Sequence, residues 1–227
     1  KIQVWNLSPK NLRILDQKYC MIELKAGYGY NRSLIIAGQV SSVVTTRDNA
    51  DRLTEISVVD GLVPLRDTVI TLSVNGKVNC KTLYNKIANK MGVAIKFGKG
   101  IKFKNMPHGF SFTGKAKNAL KKVARYCGHK WTMQDQVLQV TKKDHPMATR
   151  GYLLNSSSGL VNIPKRITIG SGKEEQTGWE IEYLMNGAIG VNDIIKLDSK
   201  TARGYFMISK VTFDGDNMEG DWICTAE

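Results

Sequence analysis

Alternating hydrophobic and polar positions dominate residues 1–76 and are typical of β-strands. After a strand-like start at IQVW, Ser8 and Pro9 predict a short helix, because Ser caps helices and Pro tolerates the first helical position. Runs rich in β-branched residues then predict four strands, separated by the turn-forming breaks GYGYN, RDNAD and DGLVP. The strands are MIELKAG, SLIIAGQVSSVVTT, RLTEISVVDG and DTVITLSV. Residues 1–76 are therefore predicted to form a small β-barrel-like or sandwich part.

The hydrophobic period changes from strand-like to helix-like at Cys80. Two helices are predicted, and Gly92 and Gly128 end them. Strands VAIKF and GFSFTG lie between the helices, and the hairpin HKWTMQ–VLQVTKK follows, so 77–143 is predicted to be an α+β unit of order α-β-β-α-β-β. The predicted inward positions are Leu83, Tyr84, Ile87 and Met91 in the first helix, and Ala116, Ala119, Leu120, Val123 and Cys127 in the second.

Residues 144–165 interrupt the periodicity with Pro, Gly and three consecutive serines, and they are predicted to be a linker. Residues 166–227 return to strands and are predicted to form a second β-barrel-like part. The predicted fold class is α+β, mostly β, with two β-barrel-like parts flanking an inserted α+β domain. Because the chain begins inside a strand-like run without Met, we expect native residues before Lys1 and an incomplete leading part. The C-terminal strands are RITIG, GWEIEYLMNG, DIIKLDS, GYFMISKVTFDG and DWICTAE.

Positive charge is concentrated in the middle of the chain. The net formal charge is +13, whereas residues 77–143 carry 16 Lys and Arg against one acidic residue, Asp135, and reach +15, which leaves −2 for the rest. Such a block either binds a polyanion such as nucleic acid or presents a solvated or protein-docking face. The candidate residues for this polyanion or protein-docking face are Lys115, Lys117, Lys121, Lys122 and Arg125.

The aromatic residues of the basic block help to choose between these interpretations. Modules that bind RNA or single strands combine charge with exposed aromatic platforms. The block contains no RNP1 motif, GXXG loop or zinc knuckle, and its aromatic residues are compatible with a core. The pattern therefore favours a solvated or docking face, with nucleic-acid binding as the alternative. The aromatic residues are Phe97, Phe103, Phe110, Phe112 and Trp131.

Catalytic, metal and cofactor signals in the sequence are weak. His108, Cys127 and His129 lack the paired short spacings of zinc ligands. The run DGDNMEGD places Met218 where a calcium loop needs a ligand, so we predict a solvated hairpin tip. We find neither a nucleophile–base set nor a three-glycine nucleotide loop. We therefore predict no enzymatic activity, no metal and no cofactor.

The cysteines and the apolar runs bear on the compartment. Four cysteines occur without a CxxC pair, and they are predicted to be free and mostly buried thiols, as expected for folding in a reducing compartment. No apolar run reaches the roughly 18 residues of a membrane span, so none is predicted. The cysteines are Cys20, Cys80, Cys127 and Cys224.

Short motifs occur in a characteristic order along most of the chain. The first group is Asn6-Leu7-Ser8, Ala26-Gly27-Tyr28, Gly38, Arg47, Thr54 and Asp60-Gly61. The last group is Gly159-Leu160, Pro164, Gly178-Trp179 and the run from Gly215-Asp216 to Trp222. In this order, and with GFSFTGKAKNALKKVARYCGHKWTMQDQVLQV between them, they resemble the baseplate hub (tail protein D-like) family of phages and phage-derived contractile particles. Two departures are the absent first strands and Asn186-Gly187, where Asn-Pro is common.

The resemblance implies a structural component of a phage or phage-like tail with no catalytic residues. In this family, two tail-tube-type β-parts per chain let a trimer present six similar β-units, which adapts the sixfold tail tube to the threefold central spike. The implied partners are further copies of the chain, the tail tube protein and the central spike protein. The implied location is the virion tail or baseplate, assembled in the bacterial host cytoplasm. The alternatives are a nucleic-acid-binding protein that uses the basic block, and a cell-wall-interacting tail component.

Overall fold

The computed structural model describes residues 1–142, 145–147, 151–170 and 175–227, except for the side chain of Leu62. Strands account for 51% and helices for 16% of the structure, which confirms the mostly-β prediction. The chain divides into two compact units. Unit 1 comprises Lys1–Leu24 and Ile36–Lys143, and unit 2 comprises Lys25–Ile35 and Asp144–Glu227. The predicted division at residues 76, 143 and 165 stays a prediction.

An open four-stranded sheet forms the first part of the fold, with its strands in the order β1-β4-β3-β2. We call it the leading sheet. A short helix, α1, follows β1, and Ser8 Oγ accepts a hydrogen bond from Asn11 N while Pro9 begins the helix, as predicted. Asn49, at the tip of the β3–β4 hairpin, adopts a φ of 54°, in the left-handed region that Asn tolerates. The elements are β1 (Ile2–Trp5), α1 (Pro9–Leu15), β2 (Met21–Tyr28), β3 (Asn31–Asp48) and β4 (Asp51–Val59).

The α+β region follows, and within residues 77–143 its elements have the predicted order with two additions, the short strands β6 and β8. The elements of the region are α2 (Leu62–Arg66), β5 (Val69–Val74), β6 (Val78–Asn79), α3 (Cys80–Met91), β7 (Ala94–Phe97), β8 (Asn105–Met106), β9 (Phe110–Lys115), α4 (Ala116–Cys127), β10 (His129–Gln134) and β11 (Val137–Lys142). The five-residue helix α2 replaces the turn that was predicted at DGLVP. Strand β5, predicted as part of the leading β-region, instead pairs with β9. The physical reason is burial, because Ile70 and Leu72 of β5 join the core formed by α3 and α4.

Helices α3 and α4 supply most of this core, and their predicted inward faces are confirmed. Leu83, Tyr84 and Ile87 of α3 are fully buried, as are Leu120 and Val123 of α4. The helices pack on a three-stranded sheet of order β10-β11-β7. Burying one large apolar side chain contributes about 1.5–3 kcal/mol, so this is the main source of stability in the region.

A pair of carboxylates joins the β10–β11 turn to the leading sheet within unit 1. Asp60 Oδ1 accepts hydrogen bonds from Gln136 N at 3.0 Å and from Gln136 Nε2 at 2.7 Å. In return, Asp135 Oδ1 accepts one from Ala37 N at 3.2 Å. Gly61 lets the β10–β11 hairpin lie close to the chain after β4, since a Cβ at Gly61 would lie only 2.7 Å from Met133 Cγ. We call Ala37, Asp60, Asp135 and Gln136 the turn clamp.

Partial burial raises the pKa of both carboxyls of the turn clamp. Desolvation raises the pKa of Asp60, although the N–H groups of Gln136, Asp135 and Gly61 oppose the shift. Desolvation also raises the pKa of Asp135, and the nearby Asp60 carboxylate adds to the increase. Ionisation of these groups therefore costs stability in the folded state, which the hydrogen bonds only partly offset.

Unit 2 contains two sheets, β12-β15-β16 and β13-β14-β18-β17. Their strands are β12 (Gly151–Leu154), β13 (Lys165–Ile169), β14 (Gln176–Leu184), β15 (Ile194–Asp198), β16 (Arg203–Met207), β17 (Val211–Gly215) and β18 (Trp222–Ala226). Strand β12 lies within the segment predicted as a linker, because Leu154 is buried and Tyr152 packs beside it in the unit's core. Ile181, Tyr183 and Cys224 are central to that core.

The predicted barrel-like closure is not seen. In the described ranges each sheet has two edge strands and no closed barrel forms. The ladder of the leading sheet ends at β1 on one side and at β2 on the other. Among the described residues, no helix combines the length and apolar character needed to cross a membrane.

We expect the substitution Gln136→Ala to destabilise the chain by about 1–3 kcal/mol, because the half-buried Asp60 carboxylate loses its side-chain donor. Urea unfolding followed by tryptophan fluorescence measures the change. The matched control is Gln17→Ala at an exposed position, where we expect a change within about 0.5 kcal/mol. Equal effects of the two substitutions would contradict a stabilising role for the clamp.

The raised pKa of Asp60 predicts a pH dependence of known sign. Because the folded state binds this proton more tightly than the unfolded state, stability falls as pH rises from the ordinary Asp pKa of 3.8 through the folded pKa. Asp60→Asn keeps the acceptor oxygen without the charge, so its stability relative to wild type should increase from pH 4 to pH 7 in urea unfolding.

Asp67→Asn is the matched control for this pH series. The Arg66 guanidinium hydrogen-bonds the Asp67 carboxylate and lowers its pKa, so the stabilisation is present at neutral pH and is lost in acid. Asp67→Asn should therefore lose stability relative to wild type as pH rises. A difference between Asp60→Asn and wild type that is constant with pH would contradict the assignment.

Candidate docking surface

Helix α4 positions the five predicted cations. Its buried stripe leaves the remaining positions toward solvent, and Lys115, Lys121, Lys122 and Arg125 are exposed, while Lys117 is half-buried. The pairs Lys117–Lys121 and Lys121–Arg125 are four residues apart, so their side chains are neighbours along one row of the helix. We call Lys115, Lys117, Lys121, Lys122 and Arg125 the basic face. Its role in docking stays a prediction.

Most charges of the basic face are unfavourable for the helix that carries them, and the exception is Arg125, which lies in the last turn where the helix dipole favours a cation. Like charges four residues apart destabilise a helix by about 0.2–0.5 kcal/mol per pair. The N-cap position holds Lys115, no side chain caps the helix there, and no acidic residue lies in the first turn. Cations at a helix N-terminus also oppose the helix dipole. Local helix stability therefore does not explain the basic face.

Two aromatic rings lie beside the basic face and are already engaged by the chain. Lys122 Nζ lies 5.5 Å from the centre of the Phe110 ring, and Phe110 itself is buried. Tyr126 donates a hydrogen bond from its hydroxyl to Asn105 O at 2.9 Å, and Lys104 Nζ lies 6.0 Å from its ring centre. These contacts leave cationic groups at the surface, which can bind carboxylates or other anions.

The aromatic residues of the basic block belong to the core. Phe110 is buried, and the other four pack against the same cluster while partly buried. Phe97 and Phe103 meet edge to face with ring centres 5.0 Å apart. None of the five therefore forms a solvent-facing platform for stacked bases. The four partly buried residues are Phe97, Phe103, Phe112 and Trp131.

The His/Cys group has structural contacts. His129 places Nδ1 3.3 Å from the Tyr84 hydroxyl and Nε2 3.1 Å from Lys102 O, and burial lowers its pKa. Cys127 is buried beside Cys80, while His108 is exposed. Within the described ranges, no three His, Cys, Asp or Glu side chains are grouped so that they could hold a metal ion.

Two sets of charged residues were not assigned a contact role from the sequence. The turn clamp joins Asp60 to Gln136 across 76 residues, and its one sequence signal is Asp135, the single acidic residue of the basic block. The second set is Asp214, Asp216, Glu219 and Asp221, which we call the acidic loop. It lies at the β17–β18 hairpin and is exposed throughout, in agreement with the predicted hairpin tip.

The fold is similar to that of solved phage tail proteins. The 43 kDa tail protein of prophage MuSo2 from Shewanella oneidensis superposes with a TM-score of 0.59 at 10% identity, over 86% of this chain and 76% of that chain. A tail protein from Neisseria meningitidis MC58 gives 0.59 and 10%, over 86% and 79%. No protein-family model matches the sequence, and no curated protein matches it significantly. At this identity the similarity establishes a shared fold.

The thiol environments predict a simple reactivity pattern. All four cysteines are free, and Cys80, Cys127 and Cys224 are buried whereas Cys20 is half-buried. Burial raises the pKa of Cys80 to about 12 and also raises that of Cys224, so their thiolates are scarce at neutral pH. We expect Ellman's reagent to modify one thiol rapidly in the native chain and four in urea. Rapid native modification that persists in Cys20→Ser would contradict this pattern.

Proposed function

We propose that this chain is a structural component of a phage or phage-derived tail, namely the baseplate hub. In this role it forms a trimeric ring that adapts the sixfold tail tube to the threefold central spike. The observation that carries the proposal is the fold shared with two tail proteins over 86% of the chain. The ordered motifs from Asn6 to Trp222, which resemble the hub family, support the finer assignment.

The leading sheet supports assembly with other chains. It is an open sheet that ends at β1 and at β2, and the edges of open sheets are normally covered or paired. Trp5, on β1, is 53% exposed, and α1 buries no side chain although it contains Leu12 and Ile14. Association of several chains into a ring would cover these edges, and the leading sheet would not need to close on itself.

Unit 2 presents a comparable surface. Leu153, Lys196 and Tyr205 stand opposite one another across the three-stranded sheet β12-β15-β16. All three are exposed, and Tyr205, on the edge strand β16, is 72% exposed. Each chain thus contributes two units with open β-sheets, and three chains would supply the six β-units of a hub.

The buried carboxyls support a structural role in place of catalysis. Burial raises the pKa of Asp193 as well as that of Asp60. Each of these groups holds a turn, since Asp193 Oδ2 accepts a hydrogen bond from Gly190 N at 2.9 Å and Asp60 holds the β10–β11 turn. The carboxyls of Asp60 and Asp193 are thus occupied by backbone donors.

Light scattering coupled to size-exclusion chromatography tests the assembly. The trimer would have a mass of about 76 kDa, three times the 25.3 kDa of one chain. Negative-stain images should show rings with six similar densities, and the rings should bind tail tube and spike proteins on opposite faces. A chain that stays monomeric at every concentration, alone and with both partners, contradicts the proposal.

A further inference from the structure

Charges of opposite sign lie on two exposed surfaces of the chain, and one member of the basic face, Lys115, is partly compensated by an electrostatic interaction with Asp67. The basic face contributes five cations, and the acidic loop contributes four carboxylates with no Lys or Arg between residues 214 and 221. In the part of the chain that the structure describes, the ion pairs involve other cations, including Lys1, Arg66, Lys165, Arg203 and Lys210. Neither surface finds an ion-pair partner there.

The acidic loop has a defined conformation. Strands β17 and β18 pair in register from Val211↔Ala226 to Gly215↔Trp222, so the loop projects from a regular hairpin. Asp216 Oδ1 accepts a hydrogen bond from Met218 N at 2.7 Å, which fixes the tip. Met218 is 84% exposed and stands among the carboxylates. The loop therefore combines an anionic rim with an apolar tip.

The basic face has matching properties. Lys122 and Tyr126 are four residues apart and lie on the same side of α4. Tyr126 is 42% exposed, so an apolar ring adjoins the cations. Methionine sulfur makes favourable contacts with aromatic rings. The two surfaces are thus complementary in charge and in the placement of one apolar group each.

We propose that the basic face of one copy binds the acidic loop of a second copy, with Met218 against Tyr126. The inference rests on the proposed function in one respect, namely that copies of the chain associate. A contact between two different surfaces repeats around a closed ring, extends into an open filament when the rotation does not close, or occurs reciprocally in a pair. Each copy carries one basic face and one acidic loop. In a closed assembly, every acidic loop therefore has a basic face to bind.

A protein partner fits the basic face better than a polynucleotide does. The rings of Phe97, Phe103 and Trp131 pack against the core, and Tyr126 is held by its hydroxyl and by Lys104. Stacking of successive bases supplies much of the binding to single strands. Tyr126 is a single exposed ring whose hydroxyl is bonded to the backbone, which suits one apolar contact better than a run of stacked bases. Carboxylates on a loop can bind to the basic face through ion pairs with its ammonium and guanidinium groups, without any stacking platform.

Isotope-mixed cross-linking tests the contact directly. Equal amounts of ¹⁴N- and ¹⁵N-labelled chain are mixed, treated with a zero-length carboxyl–amine cross-linker and digested for mass spectrometry. We expect mixed-isotope cross-links between Lys121 or Lys122 and Glu219 or Asp221. Cross-links from these lysines that form only within one chain, or only to other carboxylates, would overturn the proposal.

Charge reversal supplies the second test, with a matched control. The double variants Lys121→Glu/Lys122→Glu and Glu219→Lys/Asp221→Lys should each weaken self-association about tenfold or more, because attraction becomes repulsion. Combining all four substitutions in one chain restores opposite charges and should restore association. Lys86→Glu/Lys90→Glu changes the charge equally on exposed positions of α3 and should have little effect. Circular dichroism checks that each variant folds.

The outcomes separate this inference from the proposed function. Double variants that form trimers as well as wild type does would overturn the contact and leave the hub proposal standing. A dimeric wild type with the expected cross-links would retain the contact and contradict the trimer. If the double variant on α4 loses only salt-dependent binding to a single-stranded oligonucleotide and assembles normally, the basic face is a nucleic-acid surface and the proposal is overturned.

Discussion

The turn clamp is the contact on which the arrangement of unit 1 depends. It joins Asp60, at the end of a strand of the leading sheet, to the tip of the β10–β11 hairpin, which belongs to the same core as α4. Asp135 and Gln136 occupy the tip with φ values of 51° and 63°, in the left-handed region that non-glycine residues rarely adopt. They are the two central residues of the turn between the paired ends of β10 and β11, and a two-residue hairpin turn of this kind requires a positive φ at both positions. Together with the hydrogen bond from Val63 N to Gln39 Oε1, the clamp links that sheet to the part of unit 1 that carries α4.

Local patterns were sufficient to predict α1, α3, α4 and most strands, but not the five-residue helix α2. The faces of α3 and α4 follow from a period of about 3.6 residues, which is a property of a dozen neighbouring positions. Ser8 and Pro9 similarly carry their helix signal within three residues. Each of these predictions concerns contacts that are close in sequence, and for that reason one sequence was enough.

The structure differs from the strand pattern expected from the sequence where the pairing partners are distant in sequence. Strand β5 has the same alternation whether it extends the leading sheet or pairs with β9, and only burial in the α3–α4 core decides. Strand β12 is four residues long within a segment rich in Gly and Ser, and its parallel pairing with β15 spans some forty residues. The clamp could not be predicted either, because nothing near Gln136 identifies Asp60 as its acceptor.

The cations of the basic face are not needed to maintain the fold. A fold shared at 10% identity is maintained by buried positions and by backbone pairing, and exposed lysines contribute to neither. A row of cations on α4 weakens the helix and finds no ion-pair partner in the described part of its own chain. Clustered charge governs association and solubility, not fold. The net charge of +15 in residues 77–143 is therefore best explained by binding to a partner of opposite charge. The acidic loop of the same chain has that opposite charge.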